Sequence, residues 1–134
     1  MKKSSVHTIL LIEEDPNLRL MAKMMLEEKQ YEVTVAENSD VGLSRFSEGR
    51  YDLVILDFTL PDKRARILIE TFKATIQQSK QACLLFVMNS DIDARGPGPF
   101  VEMGADNAFS PTSDWFLEMD KLISEARKPA KKKA

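Results

Sequence analysis

The sequence predicts an α/β fold, a doubly wound sheet of five parallel strands with helices on both faces. Three observations carry that prediction. Apolar runs of strand length alternate with segments of helical periodicity along the whole chain. Two of the runs, in "HTILLIEE" and "DLVILD", are continuously apolar, as strands buried on both faces are, and the connections between elements are short. Right-handed crossovers then leave a doubly wound sheet as the arrangement. At 134 residues the chain has the size of one ordinary domain. We place that domain at residues 7–127, followed by a basic tail or linker start at 128–134.

The elements follow in order. Ile9 to Ile12 form the first strand, which stops at Glu13 and Glu14. Asp15 before Pro16 suits an N-cap followed by the first helical position. Leu18, Met21, Met25 and Leu26 then recur at helical spacing to about Gln30, with Met21, Met24 and Met25 read as core filling. Tyr31 to Ala36 alternates and is β-branched, a second strand; Asn38 or Ser39 caps a helix to about Ser47, and Gly49 stops it. Leu53 to Leu56 is the third strand and Pro61-Asp62 a turn. Ile67, Leu68, Phe72 and Ile76 lie in helical phase after it. "ACLLFVM" is a fourth strand. Gly96, Pro97, Gly98 and Pro99 oppose helix, so the next helix shrinks to a turn around Val101 to Met103. "NAF" is a brief fifth strand. Ser113 or Asp114 caps a last helix from Trp115 to about Arg127, with Phe116, Met119, Leu122 and Ile123 inward and Trp115 itself serving packing.

Composition narrows the function. Apolar residues make up 43% and charged residues 30%, a globular profile, and no apolar run approaches the roughly 20 residues of a membrane span. The N-terminal apolar segment is too short for a signal peptide, so a cytoplasmic protein is expected. The net charge of −2 combines an acidic body with a tail carrying Lys128, Lys131, Lys132 and Lys133. An acidic body argues against direct nucleic-acid binding by this domain. Cys83 has no partner for an internal disulfide and reads as a small buried hydrophobe, and His7 has no neighbours suited to a metal site. Gly42, Gly49 and Gly104 are isolated, which excludes a glycine-rich phosphate loop of the nucleotide or flavin kind.

In doubly wound sheets ligands bind beyond the carboxyl ends of the strands. Asp57 ends the third strand there, and Glu13 and Glu14 end the first. If those strands are neighbours, their carboxylates raise one another's pKa unless a cation intervenes. A hard divalent ion with oxygen ligands meets that need, and a carboxylate so placed can act as a nucleophile toward phosphorus.

The stretches "ILLIEEDPNLR", "GRYDLVILDFTLPD" and "EMGADNAF" occur in an order and spacing that resemble the receiver domain of bacterial response regulators, over roughly residues 7 to 127. The resemblance implies a flavodoxin-like strand order 2-1-3-4-5. It implies that Asp57 is a phosphoacceptor in two-component phosphorelay signalling rather than part of an enzyme. It further implies Mg²⁺ held by Glu13, Glu14, Asp57 and the backbone carbonyl of Thr59, with Asn89 and Ser90 contacting the phosphoryl group. The implied partners are a sensor histidine kinase or phosphotransfer protein and a downstream protein target.

The chain also departs from the family pattern. Glu14 replaces the usual Asp, and Ala108 stands at the aromatic switch position. The usual lysine after strand five falls on Pro111, or on Ser110 with one deletion. Lys63 to Arg66 read as a solvated basic edge, with Arg64 or Arg66 the candidates to replace the lost cation. These departures imply an alternative, a degenerate receiver acting as a phosphorylation-independent interaction module.

Overall fold

The computed structural model describes residues 6–57, 62–89, 98–110 and 115–126, apart from the side chains of 62–64, 115–118 and 126. Its strands are β1 (Thr8–Ile12), β2 (Glu32–Ala36), β3 (Leu53–Asp57), β4 (Leu84–Met88) and β5 (Asn107–Phe109). Between and after them lie α1 (Pro16–Glu28), α2 (Ser39–Glu48), α3 (Asp62–Ser79), α4 (Gly98–Met103) and α5 (Trp115–Ala126). The strands pair in parallel in the order β2-β1-β3-β4-β5, the doubly wound arrangement expected.

Local chemistry sets the helix starts. The Asp15 side chain accepts from the backbone N–H groups of Asn17 and Leu18 at 2.9 and 3.3 Å, and Pro16 needs no such partner. At α2 the two candidate caps resolve to Asn38, whose side chain accepts from the Val41 N–H at 2.8 Å. Gly104 turns the chain from α4 into β5 at φ +127°, in the region where a side chain is strained.

Each sheet face builds its own core. Leu10, Ile12, Val54, Leu56, Leu85 and Val87 meet Phe46 of α2, Phe72 of α3 and Phe100 of α4. Ile9, Leu11, Ile55, Phe86 and Met88 meet Leu26 of α1 and Met119 and Ile123 of α5. Both faces are covered, so the strands carry apolar side chains at every position, which is why they read as continuous runs.

Three expectations need correction. Met21 and Met24 are 45% and 58% exposed and do not fill the core. The stripe of α1 that meets the sheet is Leu18, Ala22, Met25 and Leu26, and small Ala22 at its centre leaves Met21 facing solvent. On α3 the inward line is Ala65, Ile69, Phe72 and Ile76, which leaves Ile67 65% exposed. Finally, α4 begins at Gly98, where a loop was expected, because Pro99 falls in a first turn that tolerates a missing N–H. Gly96, Pro97 and Pro61 lie outside the described residues.

The amino-terminal edge of the sheet is tied by carboxylates. The N–H groups of His7 and Thr8 donate to Asp52 Oδ2 at 2.8 and 3.1 Å, and the Leu85 N–H donates to Asp106 Oδ2 at 2.8 Å. Cys83 is half-buried near these acids; burial first and their charges second push its thiol up to about 12, so it stays protonated and inert.

The two α1 faces make a direct test. Leu26→Ala should lower unfolding free energy by about 2–5 kcal/mol, whereas Met24→Ala should change it by no more than about 0.5 kcal/mol, both read from urea denaturation at constant m-value.

Candidate functional site

The buried polar side chains among the described residues are Glu13, Asp57, Asn89 and Ser110, at 5, 9, 3 and 5% exposure. Each stands at or just past the carboxyl end of a strand, β1, β3, β4 and β5 in turn. Burying a polar group costs free energy unless a partner compensates. Four such groups along one sheet edge therefore mark that edge as a site.

Register brings Glu13 and Asp57 together. On β1 and β3, Leu11 pairs with Ile55 and Ile12 with Leu56, so Glu13 and Asp57 stand one step further on adjacent strands, about 4.8 Å apart in strand spacing. The Glu13 N–H still bonds the Ala36 carbonyl at 3.0 Å, so the ladder extends to this residue. Because side chains alternate, Glu13 and Asp57 continue the face that carries Ile9, Leu11 and Ile55, the one covered by α1 and α5. Across the sheet Asp57 is level with Met88, and the Asn89 N–H donates to the Phe109 carbonyl at 3.1 Å.

Glu13 has an unusual environment. Its Oε2 accepts from the Asp15 N–H at 3.0 Å, while Oε1 is buried with no hydrogen-bond partner among the described residues. Burial raises its pKa above the ordinary 4.5; the Asp15 hydrogen bond and the Arg19 charge oppose that rise, and the charges of Asp15 and Glu14 add to it. An acid whose charged form is under-compensated and which retains an unmatched oxygen has the donor chemistry that a hard divalent cation takes.

The other expected residues divide. Glu14 is exposed, though its backbone carbonyl is engaged by Arg19. Thr59, Ser90 and Pro111 lie outside the described residues, as does the Arg64 side chain. Arg66 is exposed and sits 3.5 Å from Glu70 one turn along α3. Ser110 occupies the end of β5, and Ala108 is buried within the strand. Among the described residues no three His, Cys, Asp or Glu side chains form a metal-holding group. That leaves the two carboxylates Glu13 and Asp57, and Mg²⁺ is commonly held by one or two carboxylates with water completing the shell.

Arg19 is the site residue that sequence reading missed. Its Nη1 donates to the Glu13 carbonyl at 2.8 Å and reaches the Glu14 carbonyl at 3.4 Å. In sequence it is one polar residue within an amphipathic helix, and the only available signal was its place on the first turns after the acidic pair.

Comparison with known proteins supplies the family. Residues 9–107 match the model of the response regulator receiver domain. The transcriptional regulatory protein YkoG of Bacillus subtilis is 31% identical over 119 residues, covering 89% of this chain and 49% of that protein. ResD, a transcriptional regulatory protein of the same species, is 31% identical over 61 residues, covering 46% of this chain and 25% of that protein. The chain thus spans about half or less of these relatives' lengths. The response regulator TrrA of Thermotoga maritima, solved in complex with Mg²⁺-BeF, superposes with a TM-score of 0.66 at 27% identity, covering 89% of this chain and 97% of that one. A two-component response regulator from Clostridium difficile shares the fold at a TM-score of 0.74 and 20% identity, covering 92% and 98%.

The Glu13 environment fixes a sign. With its folded pKa above its unfolded one, this group contributes most stability below about pH 4.5 and loses it as pH rises from there through the folded pKa. Glu13→Gln removes the loss and keeps the oxygen that accepts from Asp15. In metal-free buffer near pH 7 the variant should show a higher urea midpoint than wild type, and the gap should close near pH 4.

Proposed function

The chain belongs to the response regulator receiver domain family, and from that premise we propose that it accepts a phosphoryl group on Asp57 within a two-component signalling pathway. The observation that carries the proposal is the line of buried polar side chains, Glu13, Asp57, Asn89 and Ser110, along the carboxyl edge of an otherwise apolar sheet. Asp57 is the nucleophile in this reading: a carboxylate oxygen forms a bond to the phosphorus of a phosphohistidine. The P–N bond breaks, and the imidazole leaves with the electron pair.

Glu13, with Glu14 and the Thr59 carbonyl, belongs to the proposed metal site. A bound Mg²⁺ would supply charge neutralisation for phosphoryl oxygens there. Asn89 and Ser90 are the proposed hydrogen-bond donors to the phosphoryl group. The phosphodonor is a histidine kinase or phosphotransfer protein, and the output is altered affinity for a downstream protein, with no nucleic acid bound by this domain. Among the described residues no helix is long and apolar enough to cross a membrane.

A second reading rests on the end of β5. Neither Pro111 nor Ser110, the two residues on which the family's lysine can fall, is a cation, and Ala108 offers no aromatic ring. Charge-assisted bonds to a phosphoryl group are stronger than neutral ones, so a hydroxyl there compensates less. On this reading the domain is an interaction module that binds its partner without phosphorylation.

Incubation with acetyl phosphate and Mg²⁺, followed by intact mass measurement, separates the two. Wild type should gain one phosphoryl group and Asp57→Asn none. No gain in wild type, with no spectral response to Mg²⁺ and beryllium fluoride, would reject the phosphoacceptor reading.

A further inference from the structure

We propose that Arg19 is a positioning residue for this site, tying the backbone of the acidic tip of β1 to α1 so that the Glu13 carboxylate is held beside Asp57. The inference rests on the function proposed above for that carboxylate pair. Its direct support is geometric. One guanidinium nitrogen, Nη1, lies 2.8 Å from the Glu13 carbonyl and 3.4 Å from the Glu14 carbonyl, gripping two successive peptide units just where the chain leaves the sheet. Arg19 is itself anchored, because its backbone N–H donates to the Asp15 carbonyl at 2.8 Å as α1 begins.

These bonds form a closed loop with those of Glu13. The Glu13 N–H reaches back to Ala36 in β2, its Oε2 takes the Asp15 N–H, and Asp15 caps the helix from which Arg19 returns. The tip is thereby fixed at its backbone and at one carboxylate oxygen. The other oxygen, Oε1, is buried without a hydrogen-bond partner among the described residues.

The choice of acceptor matters. The Arg19 charge acts on the Glu13 carboxylate, yet among the described residues its side-chain bonds run to the Glu13 and Glu14 carbonyl oxygens and not to that carboxylate. A guanidinium bonded to Oε1 would block a metal or phosphoryl approach; one bonded to the carbonyls leaves the anionic oxygen open while placing positive charge nearby.

Outer residues that orient ligands typically contribute about 10–100-fold to metal affinity. Arg19→Gln, folded by circular dichroism, should therefore weaken Mg²⁺ binding at least about tenfold by calorimetry, and Arg19→Lys, which keeps charge and one donor, should recover part of it. In metal-free buffer, hydrogen exchange of the Asp15 amide should quicken in Arg19→Gln, with the amides of Leu11 and Ile55 unchanged. Wild-type exchange at Asp15 in the variant would overturn the proposal, and so would wild-type Mg²⁺ affinity. If the wild-type domain ignored Mg²⁺ altogether, the function proposed above would fail, and the exchange of Asp15 would still decide the role of Arg19.

Discussion

Parallel register between β1 and β3 is the constraint on which the site depends. Ile12 pairs with Leu56 because the apolar residues of both strands must fill the same two cores, and slipping one strand by a single residue would exchange its faces and misfit its side chains in both. The register is therefore fixed by the hydrophobic effect across the sheet. Its by-product is that the next residue on each strand is a carboxylic acid, on the same face and at the same height. Packing energy spread over the buried apolar side chains of the described residues holds the two acids in place, although burial and repulsion from Asp15 and Glu14 disfavour the charged form of Glu13.

How the molecule deals with that repulsion distinguishes it from an ordinary solvated edge. Among the described residues the ion pairs lie elsewhere: Lys23 with Glu27 and Arg66 with Glu70 along single helices, and Lys29 with Asp120 and Lys73 with Asp106 between elements. Those side chains are about a third to a half exposed, and such pairs contribute little stability each. At the carboxyl edge the compensation is instead partial and directional, one amide to Oε2 and one guanidinium to the carbonyls behind it. The charged form of Glu13 is tolerated there without being fully satisfied.

Much of this was legible from sequence, for identifiable reasons. A strand covered on both faces has no polar positions until it ends, so the acids Glu13 and Asp57 announced both the strand ends and the functional edge. Caps were equally readable, because Asp15-Pro16 joins two local requirements in two residues. Helix faces were less so. Met21 and Ala22 are adjacent in sequence, and which of them meets the sheet depends on the azimuth of α1, a tertiary quantity; the larger apolar residue was the natural choice and the small one was correct because it lets the helix approach closely. Ile67 misled in the same way on α3. Arg19 was hidden for a different reason, since its role lies in bonds to backbone carbonyls, which leave no pattern in side-chain types.

The unmatched oxygen of Glu13 has a thermodynamic corollary. A domain of this size is stable by only about 5–15 kcal/mol, and a species that satisfies Oε1 in the native chain but has no affinity for the unfolded one adds RT ln(1 + [L]/Kd), about 2.7 kcal/mol at one hundred times its Kd. Occupancy of the edge and persistence of the fold are thus one linked equilibrium. The ionic composition of the surrounding solution is written into the lifetime of β1 against local opening, before any partner protein arrives.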